Sequence, residues 1–220
     1  MASRATIKGW IRNLLGTTAD DPFFADETLD PIVQQAADAI VGAILEHNPD
    51  FLAKTPVTLA ALAATSNIYD LQTQAVPVTD FAGVLELRLT DDSGAAFIEA
   101  RLAELHESGS QYYAITGVDE SAQIVTSKDT AAGTPLWLRY RYWPADMVED
   151  TDAPGGIPVK FHDVVALESL FAYGLGGEQR LPAELFQRWQ DRRVQLLLHV
   201  GRRSTRPRTT RILTDASREC

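Results

Sequence analysis

The sequence predicts an α+β fold: a mainly helical bundle with an inserted antiparallel β-rich region and an extended C-terminal tail. Apolar residues recur three or four apart in residues 1–55 and 146–200, which is the spacing of amphipathic helices. Residues 56–145 instead hold short alternating runs between Asp, Ser, Gly and Thr turns, as strands do. We therefore expect one discontinuous helical domain, a β-rich region inserted in it, and a basic tail at residues 201–220.

Two helices are predicted near the N-terminus. Ala5–Leu15 carries apolar residues at helical spacing and is followed by Gly16, a common helix end. Asp30 and Pro31 predict the start of the second helix, as N-cap and first helical residue, and Asn48 ends it. Its apolar face is predicted from Ile32, Ala36, Ile40, Ala43 and Ile44, widened by Val33, Ala37 and Val41. The small side chains suit close packing, either in the core of one subunit or between subunits.

The inserted region is predicted to contain several strands and one short helix. In the stretch GVLELRLT, Leu85, Leu87 and Leu89 alternate and are expected to point inward from a strand. Ala95–His106 has apolar residues at helical spacing and is predicted to be the short helix. Loops at the strand tips are candidate contact surfaces, because binding residues are concentrated on loops.

The stretch Leu136–Leu175 organises the chain. Its first eight residues alternate in character and predict a strand that Pro144 ends. A Pro/Gly-rich acidic crossing follows, and then a helix from Phe161 to Leu175 that is apolar almost all round and belongs in the middle of a bundle. The glycines expected to end this helix are Gly174, Gly176 and Gly177.

The last helix is predicted to start at Leu181 and Pro182 and to end at Gly201. Residues 201–220 hold six arginines and two carboxylates, which gives +4; since the whole chain carries −10, residues 1–200 carry −14. The body is therefore expected to repel nucleic acid, and the tail to seek an acidic partner. Because the tail has no hydrophobic periodicity, it should be extended or disordered by itself.

Composition excludes several classes of protein. The sequence has no run of about 20 apolar residues, the length that a membrane-spanning helix needs. The N-terminus lacks the continuous apolar core of a signal peptide. Cys220 is the only cysteine, which excludes an internal disulfide framework and a cysteine-based zinc site and suits folding in a reducing cytoplasm.

No sequence motif predicts catalysis, and we expect neither an enzyme nor a bound cofactor or metal. The four histidines show no metal-ligand spacing, and phosphate-loop and nucleophile motifs are absent from the sequence. His162, next to Asp163, is the best catalytic candidate, but we interpret it as a hydrogen-bonded structural histidine. The acidic residues of the crossing lack calcium-loop spacing and are interpreted as solvated rather than cation-binding: Asp146, Glu149, Asp150 and Asp152.

An alternative function is a non-enzymatic nucleic-acid-binding module. Aromatic residues alternate with Arg139 and Arg141 on the predicted strand, a pattern found where bases stack on proteins. The arginine-rich C-terminus could also contact phosphates. Against this alternative stands the acidic body, which would weaken phosphate binding, and arginine pairs equally well with carboxylates.

The stretch Leu136–Leu175 also resembles a known protein family. The strand pattern L-x-L-R-Y-x-x-x-P, the acidic crossing and the pattern I-P-x-x-F-H-D-x-V-x-x-x-x-L-F-A-Y resemble the C-terminal half of head-to-tail adaptor (connector) proteins of tailed DNA bacteriophages. The resemblance extends loosely from the first helix to about Val200. It implies a ring of twelve subunits in the virion neck, assembled in the host cytoplasm. The ring would dock under the portal, continue the DNA channel towards tail or nozzle proteins, and let packaged DNA pass without specific binding.

Two sets of contact residues follow from charge and periodicity under this hypothesis. Residues predicted to bind the portal are the tail arginines and the apolar pair after them: Arg202, Arg203, Arg206, Arg208, Arg211, Ile212 and Leu213. Residues predicted to lie between subunits come from the second helix and from one face of the strand: Ile32, Ala36, Ile40, Trp137, Arg139, Arg141 and Trp143. We expect no contact with a membrane.

Overall fold

The chain has an α+β fold, as the sequence predicts. The computed structural model describes residues 1–61, 67–89, 94–102, 105, 111–117, 122–127, 134–172 and 182–202. Within these residues the α-helices are α1 (Arg4–Leu15), α2 (Asp26–His47), α3 (Asp163–Phe171) and α4 (Ala183–Gly201). The strands are β1 (Val57–Leu59), β2 (Ile68–Asp70), β3 (Phe81–Leu89), β4 (Ile98–Glu99), β5 (Tyr112–Thr116), β6 (Gln123–Thr126) and β7 (Leu136–Tyr142).

Helix α1 forms where the sequence predicts it, one residue earlier. The hydroxyl of Ser3 accepts a hydrogen bond from the backbone N–H of Thr6 at 3.3 Å and caps the N-terminus. Gly16 adopts a φ of 67° and ends the helix in a left-handed conformation that glycine adopts without strain. Ile7 and Ile11 are fully buried, so the predicted apolar face is the buried face.

Helix α2 starts one turn before the predicted N-cap. The helix begins at Asp26, and Pro31 lies inside it rather than at its first position. Pro31 has no N–H to donate to the preceding turn, which costs one hydrogen bond near the helix start. The extra turn is stabilised by the pairing of Asp26 with Lys8 and Arg12 of α1, an interaction that no local sequence signal shows. Asn48 ends the helix, as predicted.

Two hydrophobic cores organise the described residues. The helices α1–α4 share the first core, in which Ile7, Val33, Ile44 and Val164 are fully buried. The second core lies in the β-rich region, where the sheets β1-β7-β3 and β2-β6-β5-β4 contribute Leu59, Leu138, Tyr69 and Ile124 among others. The pairing is antiparallel except between β4 and β5, which are parallel. Each large apolar side chain buried this way contributes about 1.5–3 kcal/mol relative to exposure.

Strand β3 corrects the predicted inward face. Val84 pairs with Tyr140 and Glu86 pairs with Arg139, which leaves Leu85 as the extra residue of a β-bulge. Because the bulge shifts the alternation, Val84 packs on the second core in place of the predicted Leu85. The inward positions of Leu87 and Leu89 agree with the prediction: Leu87 is buried, and Leu89 packs on the core from the edge.

The predicted helix Ala95–His106 is wrong over residues 95–101, whereas Leu102 and Leu105 have a 3₁₀ conformation. Ile98 and Glu99 form β4 beside β5, and the backbone N–H of Phe97 donates to the carbonyl of Leu87. Phe97 is buried, whereas Ile98 is 59% exposed and Glu99 is exposed as well, at the edge of the sheet. The helical spacing of the apolar residues is therefore overridden by pairing with β3 and β5, which are distant in sequence. Residues 103–104 and 106–110 lie outside the described residues.

The central helix is shorter than predicted and is buried all round. A short 3₁₀ turn at Val159–Phe161 precedes it, and α3 runs from Asp163 to Phe171. Every residue from Val164 to Leu170 is buried, as its apolar circumference predicts. The glycines expected to end the helix lie in the range 173–181, outside the described residues.

Helix α4 follows its predicted bounds closely but is half exposed. It runs from Ala183 to Gly201. Leu196 and Val200 are buried against the helical core, whereas Val194 and Leu198 are 55% and 54% exposed. In the part of the chain that the structure describes, no helix is both long enough and apolar enough to cross a membrane.

Candidate assembly surfaces

A buried lysine fastens α1 to the acidic crossing. The Nζ atom of Lys8 lies 2.7 Å from Oδ1 of Asp150 and 2.8 Å from Oδ1 of Asp30. Asp26 lies 3.2 Å away, and only 2% of the Lys8 side chain is exposed. Burial by itself disfavours the charged amine, but the hydrogen bonds to these carboxylates outweigh it and raise the pKa of Lys8 above its ordinary value. Conversely, the hydrogen bond from Lys8 lowers the pKa of Asp150.

The same crossing completes the N-terminus of α1. The backbone N–H groups of Arg4 and Ala5 donate to the carbonyls of Asp152 and Asp150, at 2.7 and 3.1 Å. The guanidinium of Arg4 donates to the carbonyls of residues 147 and 148, each at 2.7 Å. The first N–H groups of a helix have no partner inside it. The carbonyls of Asp150 and Asp152 therefore satisfy backbone N–H groups that would otherwise need water.

The acidic residues of the crossing are mostly exposed, as interpreted, but several of them also have partners within the chain. Asp150 is paired with Lys8, and the Asp152 carboxylate accepts the backbone N–H groups of Val148 and Glu149 at 2.9 and 2.7 Å. The crossing is thus an anchor for the N-terminal helix. The sequence signal that reveals it is the spacing of Arg4, Lys8 and Arg12, which places three cations on one face of α1.

His162 has structural partners on both sides of its ring. Nδ1 lies 3.1 Å from the carbonyl oxygen of Ala2, and Nε2 lies 3.1 Å from that of Ile157. The residue is 1% exposed, so it ties the N-terminal segment to the start of the central helix. Across the described ranges, no group of three or more His, Cys, Asp and Glu side chains is placed to hold a metal ion.

Two of the predicted subunit-interface residues on α2 are core residues. Ala36 is fully buried and Ile40 is 2% exposed, and both pack within the helical core of the same chain. They are therefore not available to a neighbour in this fold, and this part of the prediction is corrected. Ile32, which lies beside that stripe, is half-buried. The buried face is centred on Val33 and Ala37, rotated from the predicted one.

The four predicted interface residues of β7 separate into two groups. The guanidinium of Arg139 lies 3.4 Å from Oδ1 of Asp50, which follows α2, so Arg139 joins the helical and β-rich regions of one chain. Trp137 is half-buried on the same face of the sheet, where it pairs with Thr58 of β1. Arg141 and Trp143 instead line one open cleft.

This junction cleft, of about 540 Å³, lies where α2 meets β3, β5 and β7. Its walls are mainly apolar and include Leu45, Phe81, Ile115 and Trp143. Two charged side chains also line it: Arg141 on the sheet side and Glu46 on the helix side. A concave, mainly apolar surface with a few polar groups is the usual form of a binding site.

Arg141 presents its guanidinium to the junction cleft. Nε donates to the carbonyl of Ala82 at 3.0 Å, which fixes the side chain against β3. Gly83, at a φ of 149°, makes room: a Cβ atom there would lie 2.5 Å from Nε of Arg141. No hydrogen bond or ion pair joins the two terminal nitrogens to any residue in the part of the chain that the structure describes. These donors are positioned for an acceptor from outside.

Trp143 forms the rim between this cleft and α2. It is 37% exposed, and its side chain lies near the Asp38 carboxylate. Burial raises the pKa of the Asp38 carboxyl, and the nearby Asp146 carboxylate raises it further. The amide nitrogen of Gln34 donates to both carboxylates, at 2.9 and 3.1 Å. The two acids are thus held together although their charges repel.

A second exposed surface lies on α4. Phe171, Phe186 and Trp189 form an aromatic cluster, and Phe186 is 44% exposed. Behind it, the indole nitrogen of Trp189 donates to the buried carboxylate of Glu168 at 2.8 Å. The spacing of the arginines on α4 indicates pairing with acidic residues of α3. The sequence does not predict that Glu168 is a buried partner, because α3 looks apolar all round.

The predicted portal-binding residues lie almost entirely outside the described residues. Arg202 is exposed just after the end of α4. The other six residues, from Arg203 to Leu213, fall in the range 203–220. The tail therefore begins at the exposed end of the same helix that carries Val194 and Leu198.

No protein-family model matches the chain, and no curated protein sequence matches it.

Proposed function

We propose that the chain is a structural virion protein: a head-to-tail adaptor that forms a ring under the portal and continues the DNA channel to the tail. Its location would be the virion neck. In this proposal the helices and the inserted β-rich region form the body of the ring, and residues 201–220 form an extended basic tail that reaches the portal. The resemblance of residues 136–175 to phage adaptors motivates the proposal.

The observation that carries the proposal is the two-sided apolar pattern of α4. Leu196 and Val200 face the core of the chain, and Val194 and Leu198 lie on the opposite face with more than half of each side chain exposed. A surface helix of a monomer needs one apolar face. A second apolar face supports contact with another protein, and it leads directly into the basic tail.

Charge supports the same function. A channel wall with the sign of DNA keeps the DNA from adhering as it passes, and residues 1–200 carry −14. Of the two strand arginines that suggested nucleic-acid binding, Arg139 pairs with Asp50. This pair favours the adaptor over the nucleic-acid-binding alternative.

Co-expression with a phage portal protein from the same genome tests the proposal. We expect the two proteins to co-purify and to give electron micrographs of a ring stacked on the portal with a continuous central channel. The variant Arg202→Glu, which reverses one charge of the tail in the full chain, should weaken co-purification. A chain that never associates with the portal, at any salt concentration at which both proteins remain folded, would contradict the proposal.

A further inference from the structure

An exposed aromatic turn lies at the opposite end of α2 from the junction cleft. The turn comprises residues 20–24, and Phe23 in it is 76% exposed, the most exposed aromatic side chain in the described ranges. Oδ1 of Asp21 accepts a hydrogen bond from the backbone N–H of Phe23 at 3.0 Å and fixes the turn. Phe24 packs on the helical core, and its carbonyl accepts hydrogen bonds from Arg12 at 2.8 and 2.9 Å. Phe23 is therefore held outward on an anchored turn.

The aromatic turn and the junction cleft have complementary chemistry. Phe23 offers an aromatic ring, and exposed Asp20 offers a carboxylate three residues before it. The cleft offers apolar walls at Phe81 and Trp143 and the unengaged guanidinium nitrogens of Arg141. Aromatic rings in pockets are the side chains that most often anchor protein interfaces, and a guanidinium binds a carboxylate through two parallel hydrogen bonds.

We propose that the aromatic turn of one copy of this chain docks in the junction cleft of the next copy. Phe23 enters between the apolar walls, and the Asp20 carboxylate pairs with Arg141. The proposal rests on the self-association that the proposed function requires, and it names the contact that produces it. It identifies an anchor of the interface, around which further surface is buried.

Glu46 gives the contact a direction. It lines the α2 side of the cleft, so an entering carboxylate is repelled there and attracted to Arg141 on the sheet side. A turn entering in the reverse orientation would bring Asp20 towards Glu46. The pair of charges thus favours one orientation and disfavours the other, which is how charge contributes specificity to an interface.

The positions of the two surfaces predict the type of assembly. Asp26, just after the turn, and Gly42, in the cleft, are 16 residues apart on one helix, or about 24 Å at 1.5 Å per residue. A contact between two different patches is heterologous, so each copy can bind one neighbour on each side. Such contacts produce a closed ring, or a filament if the rotation does not close.

Sedimentation velocity on the full chain tests this contact with two variants that each remove one side. Phe23→Ala removes the ring of the turn, and Arg141→Glu reverses the charge in the cleft. We expect each variant to weaken self-association at least tenfold. Val148→Ala is the matched control, because Val148 is 70% exposed and touches neither surface; it should assemble like the unchanged chain.

An equimolar mixture of the two variants gives the decisive result. The intact turn of Arg141→Glu can enter the intact cleft of Phe23→Ala, and the pair has no further matching surfaces, so the mixture should stop at a heterodimer. Unchanged assembly of Phe23→Ala, a surface variant, would overturn the docking contact and leave the ring proposal standing. An unchanged chain that stays monomeric up to its solubility limit, with and without portal, would overturn both.

Discussion

The Nζ atom of Lys8 and Oδ1 of Asp150 lie 2.7 Å apart, although 142 residues separate them in the sequence. This pair joins the first helix to the crossing between the β-rich region and the central helix. With Asp30 and Asp26 close by, the lysine holds three carboxylates from two distant segments around one amine. One buried cation therefore contributes to the position of the N-terminal helix from two sides.

Replacing Lys8 by methionine should destabilise the fold by about 2–3 kcal/mol. The value is below the 3–5 kcal/mol typical of breaking a fully buried pair, because the carboxylates are partly exposed. Urea unfolding followed by tryptophan fluorescence measures the change. Lys54→Met is the matched control: Lys54 pairs with Asp80 at 3.0 Å, but its side chain is 45% exposed, so the loss should stay below about 1 kcal/mol. Equal losses in the two variants would contradict the role given to Lys8.

Stability should depend on pH through the same cluster. The pKa values of Asp26 and Asp150 are lowered by hydrogen bonds from Arg12 and Lys8 respectively, so their contribution is present above the ordinary value of 3.8 and is lost as the pH falls below it. The pKa of Lys8 is raised, so its contribution is present below 10.5 and is lost as the pH rises above that value. Thermal unfolding between pH 2 and 12 measures the loss of stability in Lys8→Met. This loss should be constant between pH 3.8 and 10.5 and should become smaller outside that range.

The pair Asp38 and Asp146 predicts a stabilising substitution. Because burial and the Asp146 charge raise the pKa of Asp38, its ionised form costs stability at neutral pH. Asp38→Asn keeps an oxygen to accept from Gln34 and should stabilise the chain at pH 7 by up to about 1 kcal/mol. The gain should vanish below pH 3.8, where the aspartate is neutral in both the folded and the unfolded chain. A destabilised variant at pH 7 would contradict this prediction and show that the ionised form of Asp38 stabilises the fold.

Much of the helical region follows from local signals in the sequence. The bounds of α1 and α4 are given by helical spacing and by Gly16 and Gly201, because these signals act within one or two turns. Local signals do not predict the start of α2, because Asp26 is stabilised by residues of α1 and no side chain caps the helix. Interactions between segments far apart in sequence have no local pattern.

The sequence predicts that the inserted region contains strands, but it predicts less well which residues form them and which side chains face the core. The alternation of residues 136–142 gives β7 with Leu136 and Leu138 inward, as the structure has it. The bulge at Leu85 changes which side chains of β3 reach the core, and a single extra residue has no signature in the hydrophobic pattern. Pairing of Ile98 with Tyr112 likewise overrides a helical spacing that the sequence alone cannot distinguish from chance.

The sequence predicts only part of the candidate surfaces. Arg141 and Trp143 line the junction cleft, and their place between subunits stays a prediction. The sequence gives no signal for Phe23, because it lies in a loop without periodicity; only its exposure in the folded chain identifies it. Ala36 and Ile40 were misassigned because small residues on a helix suit the core of one chain as well as a contact between chains.

Deleting residues 203–220 should weaken portal binding and leave the body folded. These residues carry five of the six tail arginines and the pair Ile212 and Leu213, and fixing each residue costs roughly 1–2 kcal/mol of backbone entropy, so their order must come from a partner. Binding should weaken as salt rises, because exposed ion pairs are screened. The double variant Ile212→Ser, Leu213→Ser isolates the apolar part: it should lose affinity without changing the salt dependence. A truncated chain that binds the portal with undiminished affinity would rule out a docking tail.

The mass of the portal-bound assembly tests directly whether this chain forms a ring under the portal. Native mass spectrometry of the complex with the portal, and of the portal alone, gives the added mass by difference. The account predicts a single closed ring: with twelve copies of the 24.2 kDa chain, the difference is about 290 kDa. A difference of one or two chains per portal assembly, or no stable complex at all, would contradict the claim that this chain forms the ring that continues the channel.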